Sequence, residues 1–358
     1  MNEPPQKSPF RLVAAAVFLR GGWRAACRAT GLALLLGLLV AASPPGGAPG
    51  VKPEAEPGRH RTRPAGLPET LARLDSAHFS LLTDVEPTRR AGLARQLEAV
   101  YAANLALARK LAIPVSPPER RLLVVMFADR RDFDALARGT PGAPQDAFGF
   151  YDPVTNRSVF VALGTLPEIV ALRAGLPPEG TAEGKRLRRR VAERVAHFEA
   201  TLLRHEVAHQ VQVNIGLVRR TDALPIWLAE GLAMLFEDLA EDGDWAPRRN
   251  RFRARELRRL HTEGTTTRPA VRQMLIDNAT WCGGPCYGVA WAVTAYLVEF
   301  HPQALAALLQ RAATDDGLPR GARKRAALFD RLFGPVNGDW VQRVQTWALR
   351  GDSSPEAR

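Results

Sequence analysis

Residues 226–236 read IWLAEGLAMLF, an apolar stretch interrupted by a single carboxylate, Glu230. A carboxylate carried into an apolar interior is costly unless a positive partner meets it. The rest of the chain must therefore deliver positive charge to that point. The candidate lies upstream in His205-Glu206-Val207-Ala208-His209. On a helix, residues four apart sit one turn above each other, so both imidazoles face the same side and can bind one cation. Glu206 projects beside them without being a ligand, which suits a general base acting on a metal-activated water. Two histidines and one carboxylate leave a fourth tetrahedral position open, the pattern of a catalytic rather than a structural zinc site. We therefore expect two helices packed face to face, with one Zn2+ per chain held by His205, His209 and Glu230.

The surrounding pattern defines the fold class. From residue 76 onward, short apolar runs of strand length at 78–83 and 121–127 alternate with a helical spacing over 87–112. Asp129 reads as the cap of a short helix. Residues 149–151 and 158–162 flank a turn-rich link and suggest a hairpin. After Leu163 the pattern becomes helical. A long helix is expected over 184–215 and another from Pro225, where a missing N–H costs nothing in the first turn. Further helices are expected at 248–260, 287–300, 302–314, 320–333 and 338–349. The expectation is an α+β protein: a mixed lobe over 76–183, a helical lobe over 184–350, and the histidine-bearing helix between them. Residues 351–358 read as a disordered tail.

The first 43 residues carry Lys7, Arg11, Arg20, Arg24 and Arg28 against Glu3, ahead of the apolar run GLALLLGLLVAA at 31–42. A dozen apolar residues fall short of the roughly 20 that span a bilayer. Basic residues, a short apolar core and small residues after it form the pattern of a secretory signal. An uncleaved N-terminal anchor, giving membrane attachment, is the alternative. Residues 44–75, rich in Pro, Gly and charge at their start, read as a flexible tether. The net charge of +12 comes partly from this leader and otherwise from Arg on helix faces. Without aromatic interleaving or a recognised motif, no nucleic-acid partner is expected. Three cysteines exclude a disulfide scaffold. The spacing of Cys282 and Cys286 is compatible with a local disulfide or with two unlinked thiols.

The segments HEVAHQ and WLAEGLAMLFE resemble those of the gluzincin metallopeptidases. The second is close to the M1 aminopeptidase pattern. The flanking features, including GFYDPxTN, resemble more closely the peptidase-MA-like domains of uncharacterised proteins, over residues 76–350. The resemblance implies a zincin-like fold, zinc ligands at His205, His209 and Glu230, and a general base at Glu206. It also suggests Glu237 as an acceptor holding a ligand imidazole in its tautomer, the alternative being a solvated acid beside Asp238. In the resembled family a tyrosine from a later helix often stabilises the oxyanion. Tyr287 stands at a comparable distance after Glu230, with Tyr296 as the alternative whose neighbours read as core.

The Gly-x-Met-Glu-Asn segment with which aminopeptidases hold a free amine is absent from this chain. The expected activity is therefore an exported zinc-dependent endopeptidase acting on a peptide or protein substrate. The resemblance further implies that a strand such as 158–162 would form the edge of the cleft. The alternatives are a catalytically inactive metal-binding domain on the same fold, or a basic module recognising an anionic envelope polymer. His78 reads as packing or surface and His197 as a buried structural residue. No role is assigned to His60, His261 or His301.

Overall fold

Apolar side chains alternate between two cores along each central strand of a five-stranded sheet. Phe79, Leu81, Val124, Met126 and Phe160 point into one hydrophobic cluster, and Leu82, Val125, Phe127, Val159 and Val161 into another. Burial on both faces explains why these strands read as continuous apolar runs. The computed structural model describes residues 67–350 except 145–146, 220–223, 241–242, 265–266, 278–283, 315–316 and 320. The leader, most of the tether and the tail lie outside the described residues.

The strands are β1 (Ala72–Asp75), β2 (Phe79–Thr83), β3 (Leu122–Phe127), β4 (Gly149–Asp152) and β5 (Arg157–Val161), in the spatial order β1-β2-β3-β5-β4. The pairs β2–β3 and β3–β5 are parallel, while β1 and β4 pair antiparallel at the two edges. Helix α1 (Pro87–Lys110) connects β2 to β3 and packs on one face. Helix α2 (Arg130–Arg138) follows β3, with Asp129 capping it through a bond from the Arg131 N–H at 2.8 Å.

Three differences from the sequence expectation concern this lobe. Strand β1 lies within the stretch read as tether, and Leu67 and Leu71 are already buried, so the folded domain begins before residue 76. The strand is short, and its polar Arg73 and Asp75 hide it among linker-like residues. A short helix, α3 (Pro167–Ala174), follows β5 and buries only Ile169, too little for a periodic signal. The expected cleft edge at 158–162 corresponds to β5, which is paired on both sides. On that side of the sheet the edge strand is β4.

Helix α4 (Ala182–Asn214) runs between the lobes, capped by the Thr181 hydroxyl on the Gly184 N–H. One side packs on α1, β4 and β5, and another meets α5 (Ile226–Met234). The helical lobe continues with α6 (Arg251–Thr262), α7 (Arg268–Ile276), α8 (Gly284–Phe300), α9 (Pro302–Ala312), α10 (Ala322–Phe333) and α11 (Gly338–Leu349). Helix α7 was not expected from the sequence. Among the described residues no single helix is long and apolar enough to cross a membrane.

Helices α5 and α8 approach each other closely. A Cβ placed at Gly231 would lie 2.0 Å from Thr294 Oγ1 and 2.9 Å from the Ala290 carbonyl oxygen. Gly231 is therefore required for the approach that seats Glu230. Gly231→Ala should destabilise the protein by about 1–3 kcal/mol through overpacking, measured by urea unfolding. Adding Thr294→Ala should return part of that loss, because the clash with the backbone of Ala290 remains.

Candidate functional site

Helix α4 is held against the sheet by side-chain amides. Gln210 Nε2 donates to the Leu123 carbonyl at 3.0 Å and to the Asn156 carbonyl at 2.8 Å, while its Oε1 accepts from the Ser158 hydroxyl at 3.0 Å. One turn further on, Asn214 pairs with Asn156 at 2.7 Å. These bonds fix the rotation of α4 so that His205 and His209 face α5.

There the expected constellation is assembled. His205 Nε2 lies 3.2 Å from Glu230 Oε2 and 3.3 Å from His209 Nε2, and His209 Nε2 is 3.8 Å from Glu230 Oε1. One donor atom from each residue falls within 4.8 Å of the others, a group able to hold a metal ion. Metal–ligand bonds of about 2.05 Å at tetrahedral angles place donors roughly 3.3 Å apart, so the spacing fits. The chemistry fits as well, since two imidazole nitrogens aimed at each other need a proton or a cation between them.

The electrostatics reflect that need. Burial opposes a charge on His205, yet hydrogen bonds to Glu230 and Glu237 push its pKa up to about 10. Burial pushes His209 down to about 4. Burial would raise Glu230, but the His205 hydrogen bond and neighbouring positive charge hold it below the usual carboxylate range. Glu206 is not part of the ligand group. Its Oε2 accepts the Tyr151 N–H of β4 at 2.9 Å, and burial lifts its pKa to about 7.

Glu237 lies just beyond α5, buried at 2% exposure, so the alternative of a solvated acid is excluded. His205 Nδ1 is 2.9 Å from Glu237 Oε1. A carboxylate only accepts, so Nδ1 carries a proton and Nε2 is turned toward Glu230. Arg253 binds Glu237 through two bonds, Nη2 to Oε1 at 2.8 Å and Nε to Oε2 at 2.9 Å, and Asn250 Nδ2 donates to Oε2 at 2.8 Å. Burial would raise Glu237, but the Arg253 charge holds it far below the usual range. Sequence reading missed Arg253 and Asn250. Arg253 resembles the other arginines of α6, and its one signal is position, four residues before Leu257 and seven before Leu260 on the buried face. The contribution of the Tyr151 amide carries no side-chain signal at all.

Tyr287, on α8, is 2% exposed and lines the same cleft as His205 and Glu206, with the Arg253 guanidinium 4.9 Å from its ring centre. Burial pushes its hydroxyl well above the ordinary range. Tyr296 packs instead among Phe300, Trp340 and Trp347. Cys286, beside Tyr287, is disulfide-bonded, and Cys282 lies outside the described residues. His197 is exposed at the cleft mouth rather than buried as expected, because α4 leaves the packed interior in that direction. His78 has a packing role, with Nδ1 2.6 Å from Glu98 and its ring stacked on Tyr101 at 3.7 Å.

Residues 199–318 match a family described as protein of unknown function, DUF1570. The match takes in both histidines, Glu206, Glu230, Glu237, Arg253 and Tyr287, and leaves out the sheet. No curated protein matches the chain.

Two outcomes follow for metal binding. Glu237→Gln should weaken the affinity about 10–100-fold, read by competition with a chromogenic chelator. His205, with a pKa near 10 in the metal-free protein, is protonated at neutral pH and must free Nε2 to ligate. Metal uptake should then release about one proton, and affinity should fall about tenfold per unit of pH lowered below that value. Calorimetry in buffers of different ionisation enthalpy measures the proton count.

Proposed function

We propose that the protein is an exported zinc-dependent peptidase of the gluzincin type on a zincin-like fold, acting as an endopeptidase. The observation that carries this reading is the meeting of Glu230 with the two histidines of one helix face, with Glu206 left outside the ligand group in the same cleft. A donor set of two imidazoles and one carboxylate suits zinc with an open coordination position. Zinc, when bound, supplies Lewis acidity toward the scissile carbonyl and a water that ionises near neutral pH.

The residues of this chain divide the remaining work. Glu206, held by the Tyr151 N–H, takes a proton from the attacking water and returns it to the leaving amine. Its pKa near 7 in the metal-free protein suits transfer in both directions, and a nearby cation would lower it. The Tyr287 hydroxyl, kept protonated by burial, donates to the oxyanion. Glu237 and Arg253 hold His205 in one tautomer. Strand β4 offers an edge for the substrate main chain. With the Phe148 carbonyl bonded to Val161 of β5 at 2.9 Å, antiparallel alternation turns the N–H and C=O of Gly149 and the C=O of Tyr151 toward the cleft, while the Tyr151 N–H is taken by Glu206. An extended peptide can add to such an edge.

Export rests on the leader at 1–43, which is either cleaved or retained as a membrane anchor. The test uses purified full-length protein. Metal analysis should find about one zinc per chain, and His205→Ala should abolish it. Glu206→Gln should retain zinc while lowering peptide hydrolysis at least about 1,000-fold. Cleavage that survives this substitution overturns the mechanism.

A further inference from the structure

The cleft extends beyond His205 and Glu206 into a recess that the chemistry above does not use. The space along cleft and recess, open solvent included, comes to about 660 Å³. Three phenylalanines from separate elements form its walls: Phe148 before β4, Phe198 on α4 and Phe252 on α6, each only half-buried. Phe198 and Phe252 meet edge to face at 6.3 Å, and Ala147 and Leu202 complete the apolar lining. Half-exposed rings gathered in one concavity leave apolar surface in water that an apolar occupant would cover.

The base of the recess limits the charge of that occupant. Arg253 reaches it, but Glu237 binds this guanidinium twice and Glu256 accepts from it at 3.2 Å. Both oxygens of Glu237 are also taken, by His205 and Arg253 on one and by Asn250 and Arg253 on the other. At the base Glu237 and Arg253 thus answer each other. An anionic side chain placed there would lose its water without gaining a counter-ion, and a cationic one would have to compete with Arg253 and the Tyr151 N–H for the carboxylates. The recess also adjoins Gly149, whose main chain faces the cleft and whose missing Cβ is required by Phe160, 2.5 Å from where it would lie.

Resting on the peptidase reading, we infer that this recess is a specificity subsite for one large uncharged side chain, aromatic or branched aliphatic, of a residue flanking the scissile bond. The substrate class is peptides cleaved beside Phe, Leu or residues like them. Phe198 and Phe252 are the specificity-determining residues.

The experiment uses zinc-loaded full-length protein and peptides of one sequence varied singly on each side of the cleaved bond through Trp, Phe, Leu, Ala, Gly, Asp and Lys. Products are identified by mass spectrometry. On one side of the bond, Phe and Leu should exceed Gly by roughly 100-fold in kcat/KM, with Asp and Lys no better than Gly. Ala147→Phe, which fills the recess from its wall, should collapse that ratio toward one. Phe198→Ala, which opens it, should move the optimum toward Trp. A flat profile, a preference for a charged residue, or a preference unchanged in both variants overturns the inference. In parallel, N-acetyl-phenylalanine amide and N-acetyl-leucine amide should bind the metal-free protein, seen by NMR titration, while the glycine and aspartate amides do not. Binding of these amides without cleavage of any peptide leaves the recess standing as an apolar side-chain site and removes the peptidase reading. Failure of both measurements removes both.

Discussion

The carboxylate of Glu237 is the point on which the site's geometry depends. It is buried at the junction of α4, α5 and α6, and it joins His205 of the first to Arg253 and Asn250 at the start of the third. Such a pair is poor evidence for net stability, because desolvation offsets the attraction between its charges. What it contributes is orientation. With Nδ1 of His205 committed to Glu237, the ring cannot turn, and Nε2 is presented to Glu230 and His209. Asn250 secures the arrangement by capping α6 through the Arg253 N–H at 3.0 Å while donating to Glu237.

Charge balance makes the centre receptive to a cation. Glu206, Glu230 and Glu237 lie within one desolvated region, and Glu256 shares its nearest permanent positive charge, Arg253. In the metal-free state part of the deficit is met by a proton retained on His205, while Glu206 ionises less readily than an exposed glutamate. A divalent ion at His205, His209 and Glu230 would replace that proton and favour ionised Glu206. Ligand group and candidate base therefore form one electrostatic unit, although only three of its side chains meet at the metal position.

Much of this was legible from residue order. Two histidines at a spacing of four must share a helix face, and a carboxylate inside IWLAEGLAMLF must find a cation. The central strands β2, β3 and β5 were visible as apolar runs because both of their faces are covered. Strand β1 and helices α3 and α7 were not, being short elements of four, eight and nine residues. Arg253 was obscured for a different reason. In a chain with 49 lysines and arginines, one buried guanidinium resembles its solvated neighbours until its partner is known.

The sequence by itself determined the chemistry available: which helix carries the nitrogens, which carries the carboxylate, and that Glu206 stands beside them. Those are consequences of helical periodicity and of the cost of burying charge, both local properties of the chain. Tertiary structure alone decided that β4 rather than β5 forms the edge, and that its Tyr151 amide reaches Glu206. It alone placed Arg253 against Glu237 and gathered Phe148, Phe198 and Phe252 around one recess. Each of these contacts joins residues far apart in the chain, and their meeting depends on how sheet and helices pack, which no spacing along the sequence encodes.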